Sequence, residues 1–125
     1  MGKIRERTVD KVALLQGSLD LLVLGILFGG SNHGFGIARR LREVSGEWLR
    51  VDEGSLYPCL YRLEERGYIQ SEVLPSENNR RARFYSTTKS GKEEFRMRVD
   101  NWNRLNDVVT AVVKEGSAEW EWPAK

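Results

Sequence analysis

Ser55, Tyr57, Pro58, Tyr61 and Arg62 stand within one stretch, GSLYPCLYRLEERGYI (54–69), and Arg80, Arg81, Arg83 and Lys89 follow it closely. Hydroxyls donate to phosphate oxygens, guanidinium groups pair with phosphate or guanine, and tyrosine rings lie against sugars or a thymine methyl. The stretch also carries Leu56, Leu60 and Leu63 at i, i+4 and i+7, the spacing of a helix with one apolar face, and Cys59 falls on that face. A helix opening near Gly54 or Ser55 puts Pro58 in its first turn, where a missing N–H costs little. Asp52, Glu53 or Ser55 could cap it. Its outward groups are then Ser55, Tyr57 and Pro58, with Tyr61 and Arg62 one turn on. A helix N-terminus attracts phosphate through its dipole and free N–H groups, so this is what the leading end of a recognition helix brings to a major groove. From the helix alone two readings of Tyr57 and Tyr61 stand: covers for a small core, or contacts to DNA. The next segment favours contact. Residues 76–92 hold Arg80, Arg81, Arg83, Lys89 and Lys92 against Glu77 alone. A basic hairpin tip can grip phosphates or enter a minor groove.

The elements that must position these groups are legible in the pattern. A first helix is expected over about Ser18–Phe28, capped by Ser18, with Asp20 favourable to the dipole. Leu19, Leu22, Val23, Ile26 and Leu27 form its apolar face, and Gly29-Gly30 end it. SNHGFG reads as a turn, in which His33 caps or touches a DNA backbone. A second helix follows over about Phe35–Val44, with Phe35, Ile37, Leu41 and Val44 apolar and Arg39, Arg40 and Arg42 polar. Ser45-Gly46 stop it. Trp48–Val51 is extended. After Gly67 the period changes to two, over Tyr68–Leu74 and Ala82–Thr87. Between them PSENNRR (75–81) makes a hairpin turn in which Asn78-Asn79 tolerate the left-handed conformation. Thr88 or Ser90 then caps a long helix to about Val113, and Ser90 with Glu93 matches a capping box. Three helices and a two-stranded hairpin make an α+β, mainly α fold: a winged helix-turn-helix with a long C-terminal dimerisation helix. Trp48–Val51 is expected as the third strand of its small sheet.

Whole-chain totals exclude more than they assign. One domain with an appended helix suits 125 residues, and 30% charged against 40% hydrophobic residues reads as a well-solvated chain. A net charge of +2 identifies no partner by itself. Its distribution is more telling: residues 1–92 carry 15 Lys/Arg and 11 Asp/Glu, residues 93–125 carry 5 and 7. Cys59 is the lone cysteine, so no internal disulfide forms, which fits a reducing cytoplasm. The longest apolar run, Leu19–Phe28, is too short for a bilayer, and the charged start MGKIRERTVDK lacks a signal core. Glu6 breaks a myristoylation pattern. A cytoplasmic protein without a membrane partner is expected. One His and one Cys are too few for a metal cluster. His33 and Cys59 could meet as base and nucleophile, but one sits in a turn and the other on the leucine face. HGFG (33–36) lacks the spacing and preceding strand of a phosphate loop. No enzyme, metal or cofactor is expected.

LLQGSLDLLVL (14–24), NHGFGIARRL (32–41), GSLYPCLYRLEERGYI (54–69) and ENNRRARFYSTTKSGK (77–92), in that order, resemble the PadR family of bacterial transcriptional regulators. The similarity covers roughly residues 13–113, and the chain looks like the short type with a single C-terminal helix. The resemblance implies a winged-helix DNA-binding domain, a homodimer held by the C-terminal helix, and repression through an inverted-repeat operator, often with ATGT and ACAT arms. By motif, Ser55, Tyr57 and Pro58 fall at the DNA-facing start of the recognition helix, and Arg80, Arg81 and Arg83 in the wing. Cys59 stands where members commonly have alanine, and reads as core rather than as a redox switch. The expected organisation is a flexible arm (1–13), a winged-helix domain (14–90), a dimerisation helix (91–114) and a tail (115–125).

A physical argument for the dimer stands beside the resemblance. A single module binds DNA modestly, whereas a two-fold pair sets two recognition helices one DNA turn apart. The final helix has a wide apolar stripe. Phe95 and Val99 suit the monomer core, while Trp102, Leu105, Val109 and Val112 suit the partner. Some family members bind small aromatic effectors between subunits, and Trp102 could stack on one, although ordinary packing is the favoured reading of it. Trp120 and Trp122 pack on the partner or stay exposed. The alternative function is a winged-helix protein-interaction module without specific DNA binding, whose signature would be loss of the basic wing.

Overall fold

The computed structural model describes residues 18–116. The expected N-terminal arm, the start of the first motif (14–17), and Trp120 and Trp122 in the tail lie outside the described residues. In chain order the elements are α1 (Leu19–Phe28), β1 (Asn32–His33), α2 (Gly34–Val44), α3 (Glu53–Glu65), β2 (Ile69–Pro75), β3 (Arg81–Thr87) and α4 (Lys89–Gly116). The fold is mainly helical, with one small antiparallel sheet in the order β1-β3-β2.

The core forms where the three short helices and the inner face of the sheet converge. Leu19, Val23, Leu24 and Leu27 of α1, Ile37 and Leu41 of α2, Leu56, Cys59, Leu60 and Leu63 of α3, and Ile69 and Tyr85 of the sheet are all buried. Leu22 and Ile26, expected on the buried face of α1, are partly buried at its edge, while Leu24 is fully buried. α1 is enclosed on most sides, since α2, α3, α4 and β3 all pack against it. An apolar stripe estimated from one face is therefore too narrow for this helix. Ser18 occupies the N-cap position of α1, but its side chain makes no capping hydrogen bond.

Three expectations need correction. The third strand is Asn32–His33, paired with Tyr85 and Phe84, and not Trp48–Val51. The latter segment leaves α2 through left-handed Gly46 and Glu47 and is tied back when Ser45 Oγ accepts the Leu49 N–H at 2.9 Å. It leads directly to the Asp52 cap and pairs with no strand of the sheet. α3 begins at Glu53, so Pro58 is its sixth residue and lies beyond the first turn. Proline there deprives the exposed Gly54 carbonyl of its i+4 donor, a cost borne where solvent can reach the oxygen. Finally, Thr88 caps α4: its Oγ1 accepts the Gly91 N–H at 3.0 Å and donates to the Gly67 carbonyl at 2.6 Å. Ser90 instead reaches toward the same Gly67 carbonyl, so no Ser90–Glu93 box forms.

α4 runs 28 residues, about 42 Å at helical rise. Its first part packs on the body of the fold. Phe95 lies on Gly25 of α1, where a β-carbon would stand 3.2 Å from the ring, and meets Phe28 at 5.0 Å between centroids. Val99 is half-buried, and every residue from Asp100 to Gly116 is exposed.

Candidate nucleic-acid interface

Asp52 sets the leading end of α3. Its side chain accepts the Ser55 N–H at 2.9 Å, fixing the first turn with Glu53, Gly54 and Ser55 open to solvent. The leucine face then turns inward and the opposite side must face out. Tyr57 is 43% exposed and Tyr61 68%, and Ser55 and Pro58 are exposed with them. The two tyrosines differ. The Tyr57 ring lies over Gly34, the buried first residue of α2, so close that a β-carbon there would collide with its hydroxyl end. Glycine at 34 is what admits that ring. Tyr57 thus covers a helix junction with one side and meets solvent with the other, while Tyr61 projects freely.

Arg62 is exposed as well, but its charge is engaged. Its guanidinium is 2.6 Å from Asp20 Oδ1 on α1. Cys59 donates to the same oxygen, Sγ to Oδ1 3.1 Å. The ion pair raises the Arg62 pKa further, led by its hydrogen bond to Asp20. Cys59 is wholly buried, and burial first, then the Asp20 bond, pushes its thiol up to about 12. A thiol held protonated and out of solvent is core, not a nucleophile. His33 is likewise committed: its Nδ1 accepts the Gly36 N–H at 3.0 Å and caps α2, and its ring meets Phe84 edge-on at 5.1 Å.

The hairpin carries the basic tip. Asn79 takes a left-handed φ of 63°, and the turn closes with Ser76 N–H on the Arg80 carbonyl at 2.6 Å. Arg81 pairs in register with Pro75 and Arg83 with Val73. Alternation along β3 puts Arg81 and Arg83 on the face shared with buried Tyr85, the side on which α3 packs. Arg80 and Arg81 are exposed and make no ion pair among the described residues. Arg83 is partly tethered: its Nη1 donates to Ser71 Oγ at 3.1 Å, and that hydroxyl donates to Glu64 of α3 at 2.7 Å. These hydrogen bonds brace the hairpin against α3. Lys89 is exposed at the start of α4.

One part of the surface escaped the sequence reading. Phe35 is 70% exposed, not core, and the Arg39 guanidinium lies 5.8 Å from its ring centroid. Val44 is also exposed. Phe35 and Ile37 are two residues apart, so they point to opposite sides of a helix. That spacing was the available signal. Arg39 and Phe35 therefore form a basic, aromatic edge on the helix preceding α3, while Arg40, further round that helix, pairs with Glu43 at 3.4 Å. Trp102, Leu105, Val109 and Val112 are 48–62% exposed along α4, with Met97 and Val108 beside them.

Residues 23–97 match the transcriptional regulator PadR-like family. The chain belongs to that family. PadR-like proteins are transcriptional regulators and not enzymes, and the winged-helix architecture agrees. The negative transcriptional regulator PadR of Bacillus subtilis is 25% identical over 97 residues, which span 78% of this chain but only 51% of that relative. A transcriptional regulator from Clostridium thermocellum is 27% identical, with a TM-score of 0.75 over 82% of this chain and 99% of its own. A PadR family regulator from Eggerthella lenta shares the fold, with a TM-score of 0.76 at 24% identity over 88% of this chain and 94% of its own. Among the described residues, no helix of this PadR-like chain is long and apolar enough to cross a membrane.

Proposed function

We propose that this PadR-like regulator is a repressor that binds an inverted-repeat operator in double-stranded DNA as a homodimer. The observation that carries this is an exposed leading end of α3 followed by an exposed basic wing tip. Ser55, Tyr57, Pro58 and Tyr61 face outward, and so do Arg80 and Arg81, which make no ion pair among the described residues. Such an arrangement lays α3 in a major groove and the basic tip on the neighbouring phosphates or minor groove. Arg39 extends it on the side where the first helix of the motif crosses the backbone. Lys89 adds charge at the wing's base. Arg62 supports α3 from behind through Asp20 and leaves base contact to the tyrosines. The unpaired basic tip argues against a module that binds only protein.

The dimer rests on the exposed stripe of α4. An apolar row of Trp102, Leu105, Val109 and Val112, carried on a helix that leaves the body at Asp100, is costly in water and suits a second copy. Trp102, half exposed, would also offer a stacking face to a small aromatic effector lodged between subunits. Repression follows the Bacillus subtilis relative, a negative regulator.

Fluorescence anisotropy tests the proposal with a duplex from upstream of the protein's own gene, a scrambled duplex, and two salt concentrations. Preference for the native duplex at the higher salt is expected. Equal, salt-sensitive binding to both would leave a basic winged helix without specific recognition.

A further inference from the structure

One half-buried carboxylate touches both functional parts of the molecule. Asp20 of α1, with 16% of its side chain exposed, holds Arg62 of α3 at 2.6 Å and the Cys59 thiol at 3.1 Å through Oδ1. Through Oδ2 it faces Arg98 of α4 at 3.7 Å, and Arg98 is set by Glu94 at 2.7 Å. Arg98 lies one helical turn before Trp102, where α4 has its last half-buried residues and then leaves the body. The other tether, Phe95 on Gly25, lies further back along the antiparallel pair of α1 and α4. Two tethers of different chemistry thus fix the line of α4, and the outer one also holds the recognition helix.

We infer that Asp20 is a positioning residue for operator recognition, setting the angle between α3 and α4. This rests on the dimer reading, because that angle sets the separation of two recognition helices only if α4 joins two copies. The distances explain how one charge does this. Most of the carboxylate is out of solvent, and that lost hydration is offset only while both arginines stay within reach of its two oxygens. A dry hydrophobic contact would tolerate sliding and would define the angle less sharply. The same connection gives anything that displaces Arg98 near Trp102 a route to the reading surface: Arg98 to Asp20 to Arg62 to α3.

Operator spacing provides the test. Inserting or removing one base pair between half-sites turns one by ~35° and moves it by ~3.4 Å. A rigid dimer must discriminate such duplexes. The probe is the tightest duplex selected from a randomised pool, remade with its central spacing altered by single base pairs. Binding is measured for wild type, Asp20→Asn and Arg98→Gln, together with dimer mass and thermal midpoint. Arg98→Gln leaves Asp20 and Arg62 paired, so it reports on the α4 connection if Asp20→Asn folds poorly. Wild type is expected to prefer the native spacing by roughly tenfold, within the usual range for coupled sites, and Arg98→Gln to bring this below about threefold with the dimer retained. Equal loss at every spacing in Arg98→Gln would reduce the node to a stabilising contact and overturn the inference. So would full spacing preference in that variant. A wild-type dimer without any spacing preference would overturn the inference alone, whereas a wild-type monomer by mass would overturn the dimer reading and the inference with it.

Discussion

Arg62 and Arg81 carry the same charge, yet only one should be felt as a phosphate contact. Arg81 is exposed on the wing without an internal ion pair among the described residues, whereas Arg62 is 2.6 Å from Asp20. Consider Arg81→Ala in the dimer. Two wings lose one phosphate contact each, and each contact contributes about 0.9 to the slope of log affinity against log salt, so the slope should fall by about 1.8. Between 50 and 200 mM salt, wild type should then lose about 12-fold more affinity than the variant. Arg62→Ala removes an equal charge but no phosphate contact. Its affinity should drop through a loosened α3 while its slope stays at the wild-type value. Anisotropy titrations at four salt concentrations decide the matter. Equal slope changes in both variants would show that net charge alone governs binding and would refute the assignment. An unchanged slope in Arg81→Ala, with lost discrimination between native and scrambled duplex, would make Arg81 a base reader instead.

Other predictions follow from the same geometry. Tyr57→Ala should weaken operator binding while leaving the dimer intact, and unchanged affinity would remove Tyr57 from the interface. Gly34→Val should do similar harm from the neighbouring helix, because its side chain needs the space taken by the Tyr57 ring; normal binding would mean that ring position is immaterial. Val109→Glu should give a monomer with a near-normal thermal midpoint, since residue 109 is exposed on the part of α4 beyond Val99, and sedimentation would detect a surviving dimer. The Cys59 thiol titrates at about 12 in the fold against 9.0 unfolded. Its stabilising effect is therefore complete below pH 9 and drains as pH rises toward 12, at about 1.4 kcal/mol per pH unit. Urea midpoints measured from pH 8 to 10.5 should fall more steeply in wild type than in Cys59→Ala, and parallel curves would contradict this.

Local spacing carried much of the architecture. Leu56, Leu60 and Leu63 mark the inward face of α3 whatever packs against it, because a 3.6-residue period admits no other face. Their burial makes Tyr61 outward by the same geometry. The wing's charge and its turn are also local, since Asn79 adopts the left-handed conformation that its side chain tolerates. The stripe of α4 is equally visible, as a helix too apolar on one side for solvent.

What the tertiary structure decided lies in contacts between residues distant in the chain. Arg62 looked like another cation of the recognition helix until Asp20, 42 positions away, took it. Phe35 counted as apolar, but α2 could bury only Ile37 and Leu41 and turned the ring out beside Arg39. Strand β1 is two residues long and has no pattern of its own; it exists because β3 offers Phe84 and Tyr85 a free edge. Periodicity is a property of one segment and survives in the sequence. Which charge meets which, and which edge is left to pair, depends on where segments come to rest, so those features appear only in the folded chain.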